Sequence, residues 1–547
     1  MRIIIIGAVA AGTSAAAKAR RNDEMAEIVL YDKDSFISYS GCGMPYYIGG
    51  EVEEADKLTP RDPAFFKSKY NVDVRTSHEV LNINPQKKSM EIKNLFSNEV
   101  FTDYYDKLIL ATGASAIIPP IEGASDSHVF TLRNIGDMNR IKAFIDAVHP
   151  KKAVIVGTGF IGLEVCENLK NLGIEVTLVE RLPQVTPGLD PDMATYVEDH
   201  LKKNGVTVYT GLSAQKIEEG KVFLENGEAI EADFVLLSAG VKPNTALAVS
   251  IGVELGETKA IKVNDFMMTN LPDVYACGDC IEQFHVVTEK PVYRPMGSTA
   301  NKTGRIAGDV ITGGNLSFRG ILGTGIFQIF GMTVALTGLS EKEAIREGFD
   351  VEVCHNIKPN KPEYMGGKEM VIKGIADRKS GRLLGTQIVG YEGVDKRIDV
   401  FVTAITYKAK AEDLFHLDLA YAPPFSTTKD PVMYTGMILD NAMNQGRKLI
   451  TSDRLSTLID SEKKIQIVDA RVAAQYDKDH VETAVNMPHS KLRVQLKDLD
   501  PKVMTVTYCN KGVTGNAAQN ILLNHGFREV YNLSGGHKNY SKTKKSL

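Results

Sequence analysis

Residues 3–12 read Ile3-Ile4-Ile5-Ile6-Gly7-Ala8-Val9-Ala10-Ala11-Gly12. A run of β-branched residues, a glycine and an alanine-rich stretch predict a buried strand, a tight turn and a helix. The same order recurs at Ala153-Val154-Ile155-Val156-Gly157. Strands that alternate with helices in this way are typical of parallel sheets, so the sequence predicts two βαβ units and an α/β fold.

The glycines of the first unit predict a dinucleotide site. Gly7 allows the tight turn, Gly12 allows close packing of helix on strand, and the helix N-terminus attracts a pyrophosphate. Val9 replaces the middle glycine of the usual fingerprint. Asp32 follows Gly12 by twenty residues and ends the next predicted strand, where it is placed to bind ribose hydroxyls.

The second unit carries the full fingerprint in Gly157, Gly159 and Gly162. Its acid is Glu180, eighteen residues after Gly162. A carboxylate there accepts hydrogen bonds from a ribose and repels a 2′-phosphate, so NADH is favoured over NADPH. Arg181 beside it weakens that preference.

Composition narrows the possible partners. With 547 residues, 43% of them hydrophobic, and a net charge of −4, the chain is an ordinary multidomain globular protein, with no sign of nucleic acid or an anionic membrane as partner. We predict no transmembrane span, since no run of 18 apolar residues occurs. Six cysteines without framework spacing indicate a reducing cytoplasm and one or two working thiols. No metal site is predicted.

Cys42 is the candidate nucleophile. It lies in Ser38-Tyr39-Ser40-Gly41-Cys42-Gly43-Met44-Pro45, soon after the first unit. A lone thiol must finish its chemistry on an external sulfur or oxygen, and flanking glycines and hydroxyls suit a reactive thiolate better than a packing residue.

These features, with Ala111-Thr112-Gly113 and Ala276-Cys277-Gly278-Asp279, resemble the two-dinucleotide flavoprotein disulfide reductases over about residues 1–446. The resemblance implies FAD on the first unit, NAD(P)H on the second, and Asp279 on the ribityl chain of the flavin. The implied FAD residues are Gly7, Gly12, Asp32, Val80, Ala111, Thr112, Gly113, Asp279 and Tyr421, and the implied NAD residues are Gly157, Gly159, Gly162, Glu164 and Glu180. A redox pair of Cys277 and Cys280 is the weaker alternative, because the motif ends a strand inside a flavin signature.

The cysteine segment resembles the coenzyme A disulfide reductase and persulfide reductase branch, although Gly41 stands where that branch usually has Asn. The branch implies a homodimer, with catalytic roles for Tyr364 and for Tyr421, the latter reaching the partner subunit. It also implies coenzyme A contacts at Ser14, Lys18, Arg21, Ser38, Asn301 and Lys429.

The C-terminal part resembles a single rhodanese domain over about residues 455–545. The resemblance is carried by Val468-Asp469-Ala470-Arg471, by the segment from His480 to Pro488, and by Tyr508-Cys509-Asn510-Lys511-Gly512-Val513-Thr514-Gly515. Cys509 ends a predicted strand and opens a loop into a helix, where backbone N–H groups favour a thiolate or persulfide anion. Thr514 replaces the arginine that often closes such loops, and Lys511 supplies a cation.

We therefore expect four parts: an FAD-binding domain at 1–120 and 243–321, an NAD(H)-binding domain at 121–242, an α+β dimerisation domain at 322–446, and an α/β rhodanese-like domain at 447–547. The predicted activity is NADH-dependent reduction of coenzyme A persulfide, polysulfide or coenzyme A disulfide through Cys42, with Cys509 handling sulfane sulfur. Two alternatives stay open. One is an NADH oxidase or peroxidase in which Cys42 cycles through sulfenic acid, and the other is a redox sensor or sulfur carrier without turnover.

Overall fold

The computed structural model describes residues 1–461 and 463–543, which divide into two compact bodies. The first body comprises residues 1–183 and 206–323. The second comprises residues 184–205 and the described residues from 324 onward.

The strands and helices of the first body follow the predicted alternation at its two glycine motifs. Its strands are β1 (Arg2–Ile6), β2 (Glu27–Tyr31), β3 (Asp73–Arg75), β4 (His78–Asn84), β5 (Ser89–Asn94), β6 (Val100–Tyr104), β7 (Lys107–Leu110), β8 (Ala114–Ala116), β9 (Val129–Phe130), β10 (Lys152–Val156), β11 (Glu175–Glu180), β12 (Thr207–Thr210), β13 (Ala214–Glu218), β14 (Gly220–Leu224), β15 (Ala229–Ala232), β16 (Phe234–Leu237), β17 (Val241–Pro243), β18 (Val274–Ala276), β19 (Gln283–Phe284) and β20 (Pro291–Val292). Its helices are α1 (Ala10–Asn22), α2 (Met44–Ile48), α3 (Pro63–Tyr70), α4 (Ile135–Val148), α5 (Phe160–Asn171), α7 (Ala246–Ser250) and α8 (Gly297–Val310).

Two parallel five-stranded sheets carry the two glycine motifs. One has the order β18-β7-β1-β2-β3 and the other the order β12-β11-β10-β16-β9. In each, the strand before the glycine turn lies in the middle, and the side chains of Ile3, Ile4 and Ile5 are completely buried in β1. Parallel sheets covered on both faces have continuous apolar strands of this kind. The prediction of two Rossmann-like units is confirmed.

The elements of the second body are α6 (Pro191–Lys203), β21 (Gly325–Ile329), β22 (Met332–Gly338), α9 (Glu341–Arg346), β23 (Val351–Pro359), β24 (Glu369–Asp377), β25 (Leu383–Gly390), α10 (Val394–Thr406), α11 (Pro431–Asn444), β26 (Leu449–Ile450), α12 (Ser452–Ile459), β27 (Ile465–Asp469), α13 (Ala473–Lys478), β28 (Val485–Asn486), α14 (Leu492–Gln495), β29 (Met504–Tyr508), α15 (Val513–Asn524), β30 (Val530–Leu533) and α16 (Gly536–Thr543). An antiparallel sheet has the order β21-β22-β25-β24-β23, and a parallel sheet of the C-terminal part has the order β26-β30-β29-β27-β28. The predicted α+β and C-terminal α/β parts are thus both present.

Helix α6 lies in the second body, although its residues fall within the range expected for the NAD(H)-binding domain. A buried cluster of charges holds it there. Lys373 of β24 contacts Asp192 at 2.8 Å and Asp190 at 3.2 Å, and His355 of β23 lies 2.7 Å from Asp192. The cluster explains the placement, because buried charges need partners at close range.

Within the described residues, we find no helix long and apolar enough to cross a membrane.

Candidate active site

The first glycine turn is held by the acid that the sequence predicted. The backbone N–H of Ala8 donates to Asp32 Oδ2 at 2.7 Å, and that of Asp34 donates to Oδ1 at 2.9 Å. Gly7 has φ +107°, which other residues rarely adopt, and a Cβ on Gly12 would collide with the Gly7 carbonyl. The turn and Asp32 are therefore one structural unit.

The second turn repeats this arrangement. Thr158 donates to Glu180 Oε2 through its backbone N–H at 2.9 Å and through its hydroxyl at 2.8 Å. Gly157 has φ +104°, and a Cβ on Gly162 would collide with the Gly157 carbonyl. A Cβ on Gly159 would meet open space, so the loop offers a clear approach for a pyrophosphate.

Asp279 provides a test of whether the residues fit a flavin. Its Oδ2 accepts from Arg133 Nη2 at 2.7 Å, whereas its Oδ1 is buried with no hydrogen-bond partner among the described residues. A buried acceptor without a donor is costly, and a ribityl hydroxyl would satisfy it. Nearby, Thr112 donates to the carbonyl of Asn244 at 2.7 Å, which fixes the segment that also contains Ala111 and Gly113. The residues fit FAD. Val80 lies on β4, half-buried against the core of the same body.

Cys42 lies in a single 3₁₀ turn, Gly41–Gly43, immediately before α2. It is exposed, while the other five cysteines are buried. Helix α2 packs on α5, the helix of the second glycine motif, and Asn168 of α5 leaves no room for a Cβ at Gly49. Tyr46 of α2 donates to Glu164 Oε1 at 3.4 Å. The thiol is therefore held next to the helix of the predicted nicotinamide site.

The surroundings set the ionisation of this thiol. Although the side chain is exposed, the surrounding protein partly desolvates the thiol and so raises the pKa of Cys42; the Glu164 carboxylate raises it further, and Arg133 lowers it. Burial also raises the pKa of Glu164 to about 7, so its charge appears near neutral pH. Together, the surrounding protein groups disfavour ionisation of the Cys42 thiol.

Cys277 and Cys280 do not offer a second working site. Both side chains are completely buried, and burial raises the pKa of each. The Cys280 thiol lies 3.2 Å from the Cys277 carbonyl, in position to donate to it. Inaccessible, protonated thiols do not exchange with substrate, so the geometry disfavours the redox-pair interpretation. Cys166 and Cys354 are likewise fully buried.

Several of the predicted coenzyme A residues lie on the paired helices α1 and α8. Cβ atoms on Gly304 or Gly308 would collide with the backbone of α1, which shows how closely the two helices approach. Ser14 donates to Asn301 Oδ1 at 2.7 Å. One turn further along α1, Lys18 pairs with Asp309 at 3.0 Å.

The remaining predicted substrate residues are more dispersed. Arg21 is exposed and stacks over Tyr70 at 5.5 Å. Ser38 donates its N–H to the Ala8 carbonyl at 2.9 Å, beside the first glycine turn. Tyr364, Tyr421 and Lys429 belong to the second body, where all three side chains are exposed.

The rhodanese-like loop has the predicted geometry. Cys509 follows β29, the loop leads directly into α15, and the N–H of Gly512 donates to Cys509 Sγ at 3.2 Å. Gly512 has φ +98°, a conformation that glycine adopts without strain. Lys511, the expected cation of the loop, forms an ion pair with Glu369 of β24.

Sequence reasoning missed Arg133 and Glu369. Arg133 precedes α4 and reaches Asp279 across 146 residues of chain, and Glu369 reaches Lys511 across 142. Neither residue lies in a recognisable motif, so no local signal marks it.

Family models match most of the chain. The family model described as "Pyridine nucleotide-disulphide oxidoreductase" matches residues 1–298, and the model of that family's dimerisation domain matches residues 326–431. A model of the rhodanese-like domain matches residues 451–543.

Curated proteins similar to the chain include an NADH oxidase of Methanocaldococcus jannaschii, 36% identical over 437 residues, which are 79% of this chain and 97% of that protein. A coenzyme A disulfide reductase of Staphylococcus haemolyticus is 34% identical over 437 residues, covering 80% and 98%. Among solved structures, reduced CoADR-RHD of Bacillus anthracis has 37% identity and a TM-score of 0.97, covering 100% of this chain and 98% of that one. A NAD-dependent persulfide reductase from A. fulgidus has 36% identity and a TM-score of 0.92, covering 99% and 100%.

Proposed function

The chain belongs to the pyridine nucleotide-disulphide oxidoreductase family, and from that premise we propose a substrate and a chemistry. It is an NADH-dependent flavoenzyme that reduces coenzyme A persulfide, polysulfide or coenzyme A disulfide through Cys42, with Cys509 handling sulfane sulfur. The observation that carries the proposal is that Cys42 is exposed on a turn packed against the second dinucleotide helix, while Cys166, Cys277, Cys280 and Cys354 are completely buried.

The cofactor sites are proposed from the turns described above. Gly7, Gly12, Asp32 and Asp279 hold FAD, and Gly157, Gly159, Gly162 and Glu180 hold NADH. The buried, unpaired Oδ1 of Asp279 supports the first assignment, and the Thr158–Glu180 contact supports the second.

Cys42 performs the sulfur chemistry. Its thiolate attacks the sulfane sulfur of coenzyme A persulfide, the S–S bond breaks, coenzyme A leaves as a thiolate, and a persulfide forms on Cys42. With coenzyme A disulfide, the same attack leaves a mixed disulfide on Cys42. An FAD held by Gly7, Gly12, Asp32 and Asp279 would supply, from NADH, the electron pair that reduces this bond, and hydrosulfide or coenzyme A would be the product.

The side chains around Cys42 control its proton. Glu164 is neutral below about pH 7 and opposes the thiolate when it ionises, whereas Arg133 favours the thiolate. Arg133 also holds Asp279, so one guanidinium links the predicted flavin carboxylate to the nucleophile.

Cys509 receives or delivers sulfane sulfur as a persulfide. The Gly512 N–H that points at its sulfur supports this role, because it stabilises a negative charge there.

A homodimer is part of the proposal. The match to a dimerisation domain supports it, as do exposed aromatic side chains in that part of the chain, with Tyr407 80% and Phe425 71% exposed. Tyr364, Tyr421 and Lys429 then serve an active site completed by the partner subunit. Light scattering tests the dimer.

The six free thiols support our proposal that the protein works in a reducing cytoplasm.

The decisive experiment compares NADH oxidation with coenzyme A persulfide, polysulfide, coenzyme A disulfide and oxygen side by side. We expect the sulfur substrates to exceed oxygen in kcat/KM. Oxygen is included because the chain is similar to a protein named NADH oxidase, which is the observation behind the alternative in which oxygen is the substrate. Faster turnover with oxygen would therefore replace the proposal by that alternative, and no turnover with any of the four would favour a sensor or sulfur carrier.

A further inference from the structure

One carboxylate links the Cys509 loop to the neighbouring antiparallel sheet. Glu369, the first residue of β24, pairs through Oε1 with Lys511 of the loop and through Oε2 with Lys538 of α16. All three side chains are partly exposed, at 33%, 37% and 41%. The contact therefore lies at a surface where its ions can exchange partners.

The loop backbone is held by α16, independently of Glu369. The N–H groups of His537 and Lys538 donate to the carbonyls of Cys509 and Asn510, at 2.8 and 3.0 Å. A Cβ on Gly536 would collide with the Cys509 carbonyl. Because α16 fixes the backbone, Glu369 acts mainly on where the Lys511 ammonium lies.

Glu369 carries its charge at neutral pH. Burial alone would raise its pKa, but hydrogen bonds from Lys511 and Lys538 lower the pKa below its usual value. Its negative charge therefore offsets the positive charge of Lys511 under physiological conditions.

Other charged groups also surround Cys509. Lys358 of β23 is near enough for Cys509, Lys511 and Lys429 to influence its pKa, which burial lowers. Around the base of the loop, His537 lies 3.3 Å from Asp479, and Arg471 is paired with Asp469. Lys511 is thus the loop's own cation, and Glu369 pairs with it as well as with Lys538.

We propose that Glu369 is a positioning residue for Cys509: it holds Lys511 and restrains the reactivity of the Cys509 thiolate until an anionic sulfur donor draws the lysine away. The inference rests on the proposed sulfur-carrier role of Cys509. It means that the antiparallel sheet tunes the rhodanese-like site.

The test is the pH profile of iodoacetamide labelling at Cys509 in the full-length protein, quantified by mass spectrometry of the Cys509 peptide. In Glu369→Gln, the Lys511 charge is no longer offset, so we expect labelling of Cys509 on the acidic side of the profile to become about three- to tenfold faster. Cys42 in the same sample is the internal control. Glu392→Gln is the matched control, because Glu392 pairs with Lys361 in a partly exposed ion pair of the same sheet region.

A double-mutant cycle separates positioning from a direct field effect. If Glu369 acts through Lys511, then Glu369→Gln changes nothing in a Lys511→Ala background. Equal acceleration in that background, or no acceleration in the single variant, overturns the proposal. Thermal unfolding of each variant shows that the fold is retained.

The proposed function is tested separately by NADH oxidation with sulfur substrates. An inactive native protein whose Cys509 labelling responds as expected would refute the function while leaving the Glu369–Lys511 coupling standing.

Discussion

Replacing Lys373 by Met tests the buried charge cluster that holds α6 in the second body. The Lys373 side chain is 1% exposed and contacts Asp190 at 3.2 Å, Asp192 at 2.8 Å and Glu341 at 2.6 Å. Burial alone would lower its pKa, but these carboxylates raise the pKa above its usual value, so the lysine is charged. Met fills a similar volume without the charge.

The expected loss of stability depends on which partners the three carboxylates retain once Lys373 is replaced. Removing one partner of a buried pair typically costs about 3–5 kcal/mol. Asp192 keeps His355, Asp190 keeps hydrogen bonds from Gln387 and the Glu341 backbone, and Glu341 itself is 29% exposed and can turn to water. We therefore expect a loss near the lower end, about 3 kcal/mol.

Hydrogen exchange is the suitable assay, because a multidomain chain does not unfold in one two-state step. Amides of β23 and β24 report the free energy of opening around the cluster. Lys396→Met is the control, since Lys396 lies 4.0 Å from Asp430 with its side chain 36% exposed, and we expect it to cost about 0–1 kcal/mol.

The stability contributed by the charge cluster depends on pH, and Asp192 sets the sign of that dependence. Burial alone would raise the pKa of Asp192, but Lys373 and His355 lower it. The stability that ionised Asp192 contributes is therefore present above the ordinary aspartate pKa and is lost as the pH falls through the lowered value.

For Lys373→Met, a loss of opening free energy below about 1 kcal/mol at pH 7, or a loss equal to that of Lys396→Met, would refute the reasoning.

Four further predictions concern function. Cys42→Ser should abolish turnover of sulfur substrates while the protein still binds FAD and NADH still bleaches its absorbance; retained turnover would place the chemistry elsewhere. Glu164→Gln removes a charge that raises the pKa of Cys42, so the pH profile of Cys42 labelling should shift to lower pH, most clearly above about pH 7, where Glu164 is ionised. Glu175→Gln is the control, and an unchanged profile in Glu164→Gln would contradict the coupling of Glu164 to Cys42. NADH should exceed NADPH in kcat/KM by about 1–3 kcal/mol owing to Glu180, and equal rates would show that Arg181 compensates. Cys509→Ser should slow turnover of bulky sulfane-sulfur donors but not of coenzyme A disulfide; a uniform effect, or none, argues against a relay.

The sequence by itself determined the parts whose physics is local. A β-branched run followed by glycine and alanine predicts strand, turn and helix because those residues set their own backbone and burial preferences. The acid at the end of the next strand, Asp32 or Glu180, meets the turn because parallel pairing of adjacent strands leaves little choice of register. The cysteine loop at Cys509 follows the same logic, since β29, the loop and α15 are consecutive in the chain.

Only the tertiary structure decided which distant side chains meet. Arg133 reaches Asp279, Lys373 joins Asp190 and Asp192, and Glu369 holds Lys511, each across more than a hundred residues. In the sequence these are ordinary charged residues, indistinguishable from those of a solvated surface. Their pairing depends on how whole elements pack, and the energy of an ion pair changes several-fold with burial and with distances of a few ångströms. The control that we propose for the two thiols therefore depends on the packing, whereas the positions of the thiols in the chain could be predicted from the sequence.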